Sequence, residues 1–341
     1  MKKICFSLIT LILLVSIFLI LPGCGNIVSM EGVQLEQVKK ASKEVPEEEK
    51  DIKNTPSGAL PIGSYILFGQ YQVEDEGFSP ILWKVIENKS HYQGNTNPDV
   101  KHMTLLTNQI IDQRGYDAEE PESNLEFRAK YGNNRYSYSN IMQWLNTDKK
   151  GGSWWQATHD TDGPPVDEGF ETRKSTGYDD KDGFLNSFNS NELNLILDTT
   201  LESGINVNAD GGGTETVINK VFLLSLTEVG LSEEESKYYF EGNPFAIFDS
   251  DESRLSTITP QCYENTNSPQ IPKTADTTWE WWLRSPYSFG EYDVWIVDYQ
   301  GKAIHRRAYV DSYGLRLAIN ISYEGVSFSG KGTIDNPYVI K

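Results

Sequence analysis

The chain has 341 residues, of which 49 are Asp or Glu and 30 are Lys or Arg, so its formal net charge is −19. A protein of this charge is not expected to bind nucleic acid, because the phosphate backbone would repel it. The chain is long enough to bury a hydrophobic core, and Cys262 is the only cysteine after residue 24, so no disulfide framework is expected.

The N-terminus has the pattern of a secretory signal peptide. Two lysines precede an uncharged, mostly apolar run of 18 residues that ends at Leu21, and Pro22-Gly23-Cys24 follows. This junction resembles the lipobox of bacterial lipoproteins. The resemblance implies that residues 1–23 are removed and that Cys24 is acylated, which would attach the protein to the extracellular face of the membrane. An uncleaved membrane anchor is the alternative, since 18 residues are close to the lower limit of a membrane span.

Residues 24–60 are predicted to be a disordered, charged tether. From Glu31 to Gly58 the sequence is dense in Glu and Lys and contains no aromatic residue, so it cannot bury enough apolar surface to offset the entropy of ordering. As a flexible coil, this segment would span about 30 Å between the bilayer and the following domain.

From Pro61 the chain becomes rich in aromatic and β-branched residues. Alternating apolar positions predict strands in residues 62–71, 80–88, 101–112 and 217–228. Two short amphipathic helices are predicted between these strands. Ser139 is a candidate N-cap for the first helix, and Asn189 with Glu192 approximates a capping box for the second.

Residues 293–322 have the clearest β pattern. Turn signals at 299–302 and 311–314 divide them into three segments, which we interpret as three antiparallel strands. All these elements together predict an α+β domain over residues 61–322, with one antiparallel twisted sheet, two short helices and long loops. Residues 323–341 are a Gly-rich tail. A short edge strand is predicted in this tail, starting at Tyr338.

Five short motifs occur in order along the domain: NIMQWLN, FNSNELNLI, VFLLSLTE, WWLRSP and GLRLAI. With these motifs the chain resembles an uncharacterised domain-of-unknown-function family of extracellular bacterial proteins, common at the surface of Gram-positive anaerobes. The motif residues to which the resemblance gives a structural role are Trp144, Leu145, Asn146, Trp281, Trp282, Leu283, Arg284, Ser285, Gly314 and Arg316. More distantly, the last two motifs resemble the core of C-type-lectin-like folds, which implies a fold and no function.

The segment TTWEWWLRSP has three tryptophans within four residues. On a strand, alternate residues share a face: Trp279, Trp281 and Leu283 on one face, and Glu280, Trp282 and Arg284 on the other. A strand that is apolar on both faces is typically covered on both sides, and each buried ring removes about 150–250 Å² from water. We therefore interpret the segment as core rather than as a platform for a ligand, and we expect Arg284 to be buried and paired.

The loop of residues 151–165 is the better candidate for ligand binding. Trp154 and Trp155 are consecutive and lie near carboxylates, and exposed rings beside carboxylates are a common way to bind sugars. The alternative is that one ring fills the core while the other packs on its own loop.

No catalytic residue, metal site or cofactor is predicted. The acidic loops at 160–171 and 178–183 lack the spacing of a calcium-binding loop, and the four histidines lie in no recognisable motif. The Glu-Pro-Asn and Gln-Pro-Asp triplets of sugar-binding lectins are absent from the sequence. A pair of carboxylates for glycoside hydrolysis cannot be located from sequence, because the required separation of about 5–10 Å is spatial.

Three functions are compatible with these observations. The favoured hypothesis is a non-catalytic surface lipoprotein, attached to the membrane through its lipid, that binds a glycan, a cell-wall component or a surface protein. The alternatives are a carbohydrate-active hydrolase and the solute-binding lipoprotein of a transporter. The last would require two lobes of parallel strands, whereas the sequence predicts antiparallel pairing.

Overall fold

The computed structural model describes residues 58–71, 78–88, 101–173, 176–231, 240–264 and 277–341. The predicted signal peptide, Cys24 and nearly all of the predicted tether lie outside the described residues. Within the described part of the chain, none of the helices combines the length and the hydrophobicity needed to span a bilayer.

Fourteen strands occur in the described residues. In chain order they are β1 (Tyr65–Tyr71), β2 (Ser79–Glu87), β3 (His102–Thr107), β4 (Asp112–Gln113), β5 (Thr199–Gly204), β6 (Thr214–Asn219), β7 (Val221–Leu223), β8 (Trp281–Pro286), β9 (Asp293–Val297), β10 (Ala303–Arg307), β11 (Gly314–Leu315), β12 (Leu317–Ser322), β13 (Phe328–Ser329) and β14 (Tyr338–Ile340). The α-helices are α1 (Glu126–Tyr131), α2 (Asn140–Leu145), α3 (Ser190–Leu195), α4 (Val207–Asp210), α5 (Asp251–Arg254) and α6 (Pro260–Glu264). The fold is therefore mixed α and β, with mostly sheet and a few short helices.

The strands form three sheets rather than the single sheet expected from sequence. The largest has the order β13-β14-β1-β2-β3-β12-β7, the second β10-β9-β8-β11-β4, and the third β5-β6. Neighbouring strands are antiparallel except in two pairs, β1 with β14 and β8 with β11. An alternating pattern predicts a strand but does not predict which strand pairs with it, so the sequence did not show that the strands divide into three sheets.

The C-terminal strands contain one confirmed and one incorrect prediction. β9 and β10 form the expected antiparallel hairpin, with Ile296 opposite Ile304. The third predicted strand does not extend this hairpin, because the chain changes sheet at Arg316: β11 lies in the second sheet and β12 in the largest. All residues of β12 except the last are buried, so its alternation did not indicate which face met the core.

The C-terminal tail is part of the same sheet system. β14 lies between β13 and β1, with Tyr338 opposite Ile66. It is therefore an inner strand and not the predicted edge strand, and the edge of the largest sheet is β13.

The two predicted helices begin at their predicted caps. The Ser139 hydroxyl accepts a hydrogen bond from the backbone N–H of Met142 at the start of α2. Asn189 and Glu192 form a complete capping box at the start of α3. The other four α-helices have four to six residues, too few to produce an apolar period in the sequence.

The tryptophans of β8 lie in the core. Trp281 and Trp282 have no exposed surface, while Trp279 is half-buried. The indole N–H of Trp281 donates to the Arg254 carbonyl oxygen at 3.2 Å, and that of Trp282 donates to the Arg114 carbonyl oxygen at 2.9 Å. Both rings are thus buried with their polar atoms satisfied, which is the arrangement of a structural strand.

Arg284 connects the three sheets. Its guanidinium pairs with Glu228 at 2.6 Å, and both side chains are 1% exposed. It also donates to the carbonyl oxygens of Leu223 in β7 and Glu202 in β5. The next residue, Ser285, donates a hydrogen bond to the buried Glu241 carboxyl group. The Leu-Arg-Ser motif is therefore a polar link inside an otherwise apolar core.

The Gly-Leu-Arg motif occupies the point where the chain changes sheet. A Cβ on Gly314 would lie 2.5 Å from Cγ2 of Ile110, so only glycine fits there. The Arg316 guanidinium lies 5.1 Å from the Trp281 ring centroid and donates to the carbonyl oxygens of Thr107 and Arg254. Burial lowers the pKa of Arg316 to about 10, and the side chain serves as a buried cross-link.

Candidate functional site

The consecutive tryptophans of residues 151–165 do not form a platform for a ligand. Trp154 is 2% exposed, stacks on Tyr178 with centroids 6.0 Å apart, and donates from its indole N–H to the Lys181 carbonyl oxygen at 2.9 Å. Trp155 is half-buried and packs against the core. Burial leaves Trp154 no free face, so the predicted Trp154–Trp155 binding pair is contradicted, and one ring fills the core.

The Trp-Leu-Asn motif at the end of α2 is also structural. Trp144 and Leu145 are buried, and the Trp144 indole N–H donates to the Asp182 carbonyl oxygen at 3.0 Å. The Asn146 side chain accepts from the backbone N–H of Lys220 at 2.8 Å and donates to the Val221 carbonyl oxygen at 2.9 Å. This amide therefore fastens α2 to the start of β7.

A polar cavity lies along the edge strand of the second sheet. Its volume is about 380 Å³, and its lining includes Glu171, Tyr292, Asp293, His305, Arg306 and Arg307. The last three residues are consecutive on β10, which pairs with β9 on one side and is the edge of the sheet on the other. We call this cavity the β10 cleft.

Four aromatic rings adjoin the β10 cleft and form what we call the aromatic cluster: Phe127, Tyr131, Tyr292 and Tyr309. Phe127 is 45% exposed and stacks nearly parallel to Tyr131, with an interplanar angle of 12°. The Tyr131 and Tyr292 centroids are 5.2 Å apart, and those of Tyr131 and Tyr309 are 5.3 Å apart. Tyr292 belongs to both the cluster and the cleft, so the aromatic and polar surfaces are continuous.

His305 is held in the cleft by aromatic and acidic neighbours. Its ring stacks on Tyr287 with centroids 4.0 Å apart and an interplanar angle of 9°. Its Nδ1 atom lies 3.1 Å from Oδ2 of Asp293. The opposite ring nitrogen, Nε2, has no partner among the hydrogen bonds of the described residues, which makes it available to a ligand.

The pKa values of two other groups of the cleft, Glu171 and Tyr313, are raised. Burial raises the pKa of the Glu171 carboxyl group, Asp311 raises it further, and Arg307 opposes the rise. Burial also raises the pKa of the Tyr313 hydroxyl to about 12, so this group is neutral at physiological pH. Arg306 donates from Nε to the Tyr313 hydroxyl oxygen at 2.7 Å. The cleft thus presents hydrogen-bond donors and acceptors around its aromatic side.

A second cavity, of about 450 Å³, lies beside Phe78. Two of its charged side chains are in ion pairs: Arg114 with Asp112 at 3.1 Å and Lys150 with Asp182 at 2.6 Å. Of its lining rings only Phe78 is strongly exposed, at 68%. This cavity therefore offers a ligand one exposed ring, whereas the β10 cleft adjoins a cluster of rings, and the β10 cleft is the stronger candidate.

A buried acidic cluster anchors the loop of residues 151–165. Asp117 accepts hydrogen bonds from the backbone N–H groups of Asn133 and Asn140, at 2.8 and 2.9 Å. Glu120 lies 2.7 Å from Nε2 of His159. Across the described residues, no group of three or more His, Cys, Asp or Glu side chains is arranged to hold a metal ion. We interpret the cluster as a structural network.

Comparison with protein families shows the family to which the chain belongs. A family model described as a domain of unknown function, DUF6273, matches residues 101–323, which is more than half of the chain. The chain belongs to this family. No match was found among curated proteins or among solved structures.

The DUF6273 match and the folded unit have different limits. All the residues of the β10 cleft and the aromatic cluster lie within residues 101–323. Four strands of the largest sheet, β1, β2, β13 and β14, lie outside the match. The DUF6273 segment therefore contains the candidate site but not the complete sheet that supports it.

No sequence motif marked the β10 cleft. Its aromatic rings come from α1, from the residue before β9 and from the loop after β10. The one local signal was the run His305-Arg306-Arg307, three basic-type residues in a strongly acidic chain.

Proposed function

We propose that this DUF6273 domain is a non-catalytic binding module that holds a glycan in the β10 cleft. The observation that carries the proposal is the continuity of the aromatic cluster with a polar cavity through Tyr292. Sugars have apolar C–H faces and many hydroxyl groups, so they are well matched by exposed rings beside hydrogen-bonding side chains. The second cavity has one exposed ring, Phe78, and Trp154 is buried.

Preorganisation of the rings supports the same proposal. Tyr131 is in contact with three other rings of the cluster, at centroid distances of 5.2 to 6.2 Å. Side chains that are already ordered lose little entropy when a ligand binds. Phe127, which is 45% exposed, is the ring of the cluster with the most free surface for a ligand.

The location of the module is part of the proposal. Residues 1–23 and Cys24 have the pattern of a lipoprotein signal, so we place the domain on the extracellular face of a bacterial membrane, attached by lipid. A cell-wall glycan or a glycosylated surface protein is then within reach of the tether. A distant relationship of the core to C-type-lectin-like folds, implied by the Trp282–Ser285 and Gly314–Arg316 motifs, belongs to the same hypothesis.

Binding of the purified protein to a glycan array, followed by titration calorimetry of the bound glycans, tests the proposal. We expect the Phe127→Ala and Tyr292→Ala variants to bind at least about fivefold more weakly, since each removes a contact worth more than about 1 kcal/mol. Phe78→Ala is the matched control, because Phe78 is an exposed ring outside the β10 cleft. A loss with Phe78→Ala alone would move the site to the second cavity, and a wholly negative array would refute glycan binding.

A hydrolase is the second candidate, favoured by one observation. Glu171 and Asp293 line the same cavity, and a carboxyl group with a raised pKa, as at Glu171, suits the role of general acid. Turnover of oligosaccharides that is lost in both Glu171→Gln and Asp293→Asn would establish an enzyme. Binding of oligosaccharides without turnover would contradict the hydrolase and would be consistent with a non-catalytic binding module.

A transporter-associated solute receptor is less well supported. Such a receptor would be expected to have two lobes built from parallel strands and crossover helices. In the described residues only two strand pairs are parallel, and none of the helices is longer than six residues.

A further inference from the structure

We propose that the glycan held in the β10 cleft is an acidic sugar whose carboxylate or phosphate group pairs with Arg307. The inference rests on the proposed function of the cleft and adds the charge of the ligand to it.

The first observation is how the arginines of the chain are paired. The chain has nine arginines, all within the described residues. Seven form ion pairs with carboxylates, at N···O distances of 2.5 to 3.8 Å; these are Arg114, Arg128, Arg135, Arg173, Arg254, Arg284 and Arg306. Arg316 is buried and donates to backbone carbonyl oxygens. Among the described residues, no carboxylate forms an ion pair with Arg307.

The lack of a carboxylate partner at Arg307 does not come from a shortage of carboxylates. The chain has 49 acidic residues against 30 basic ones, and Arg307 is an exposed residue at the end of β10. Among the described residues, none of these carboxylates forms an ion pair with Arg307, although Glu171 is near enough for the two charges to interact. Arg307 instead faces the cleft, where a ligand can supply the negative charge.

The second observation is that the guanidinium of Arg307 is held in place. It lies 4.2 Å from the centroid of the Tyr131 ring, and that ring is itself packed against Tyr292 and Tyr309. A planar guanidinium fixed on an aromatic face keeps its remaining N–H groups ordered, and their fork matches the two oxygens of a carboxylate or phosphate.

The third observation distinguishes an acidic sugar from a simple anion. Glu171 and Asp293 line the same cavity as Arg307, and their oxygens can accept hydrogen bonds from the hydroxyl groups of a sugar, which offset the repulsion of its charged group. In an acidic sugar the charged group can pair with Arg307, while hydroxyl groups donate to the two carboxylates and a ring face meets the aromatic cluster. The charge pattern of the cleft therefore fits a ligand that is anionic at one position and rich in hydroxyl groups elsewhere.

A panel of matched ligands tests the inference. The panel contains oligosaccharides of galacturonic, glucuronic and sialic acid, each with its neutral methyl ester, together with a phosphorylated oligosaccharide, its dephosphorylated form, inorganic phosphate and neutral oligosaccharides. Affinity is measured for the wild-type protein, Arg307→Gln, Arg307→Lys and the remote control Lys331→Gln. The control removes one positive charge from an exposed residue in another part of the fold, which separates a local effect from a change in net charge.

We expect an acid to bind about two- to fivefold more tightly than its ester, the factor typical of an exposed ion pair. The ratio of the affinity for the acid to the affinity for its ester should fall to about one in Arg307→Gln. It should be intermediate in Arg307→Lys and unchanged in Lys331→Gln. It should also decrease with added salt, because the pair is exposed. A preference for the carboxylate or for the phosphate members would identify the source of the charge.

The outcomes separate the inference from the proposed function. If neutral glycans bind as tightly as the acidic ones, or if Arg307→Gln keeps the preference while its melting temperature is unchanged, the inference is refuted and the binding module stands. Binding of inorganic phosphate as tightly as the phosphorylated sugar would refute the role of the sugar. If nothing in the panel or the array binds, both ideas fail together.

Discussion

Arg284 and Glu228 form an ion pair of 2.6 Å in which both side chains are 1% exposed. Arg284 belongs to β8 in the second sheet, and Glu228 lies in the turn that follows β7 of the largest sheet. The Glu228 carboxylate also accepts a hydrogen bond from the backbone N–H of Ser225 at 2.9 Å. The pair therefore joins two sheets at a point from which water is excluded.

Replacement of Glu228 by Gln is expected to lower the free energy of unfolding by about 3–5 kcal/mol, because it leaves a buried guanidinium without its counter-charge. Urea denaturation measures the loss. Asp182→Asn is the matched control: it breaks the Lys150–Asp182 pair, whose side chains are 76% and 44% exposed, and should cost less than about 1 kcal/mol. If the two variants lose similar amounts of unfolding free energy, burial does not determine the strength of the Arg284–Glu228 pair.

Replacement of Trp154 by Ala is expected to destabilise the fold by about 3–5 kcal/mol, since the ring is 2% exposed and leaves a cavity. Trp155→Ala should cost less because that ring is only half-buried. Thermal or urea unfolding measures both. A Trp154→Ala variant that keeps its stability but loses glycan binding would restore the original prediction of a binding loop.

The His159–Glu120 pair is expected to make stability depend on pH. Burial opposes protonation of His159, but the hydrogen bond and charge of Glu120 outweigh burial and raise the His159 pKa above its ordinary value of 6.5. A raised folded-state pKa means that the stabilisation is fully present below pH 6.5 and is lost as the pH rises through the folded-state value. His159→Asn should therefore flatten the decline in unfolding free energy on the alkaline side of pH 6.5.

An NMR titration of the His159 ring measures the pKa directly. Glu120→Gln removes the acceptor charge, so the pKa of His159 should fall in that variant. An unchanged titration midpoint would show that Glu120 does not control the protonation of His159.

Replacement of Cys24 by Ser is expected to abolish lipid attachment. The variant should lose the mass of the lipid and should retain its uncleaved signal peptide, which detergent-phase partitioning and mass spectrometry of the N-terminus measure. Cys5→Ser is the control, because Cys5 lies within the predicted signal peptide. If the wild-type protein carries no lipid and keeps residues 1–23, the chain has an uncleaved membrane anchor.

The sequence alone determined the features that depend on neighbouring residues. The Ser139 and Asn189 caps were predictable because a capping side chain bonds to a backbone N–H only two or three residues away. The hairpin of β9 and β10 was predictable from its turn residues. Burial of Trp281 and Trp282 followed from the apolar character of both faces of β8.

The tertiary structure decided which distant elements meet. Sheet membership changes at Arg316 within a single run of alternating residues, because the choice between β3, β7 and β8 as partners depends on residues far away in the chain. The burial of Trp154 depends on Tyr178 and Lys181, which no local pattern connects to it.

The β10 cleft is the clearest case of this division. Tyr131 and Arg307 are 176 positions apart in the chain, yet the guanidinium lies 4.2 Å from the ring centroid. Hydrophobic periodicity and turn residues act over a few positions, so they predicted β10, which carries Arg307, but not α1, which carries Tyr131. The packing of α1 against the β9–β10 hairpin, a long-range property, is what brings a ring and a cation together into a surface suited to a ligand.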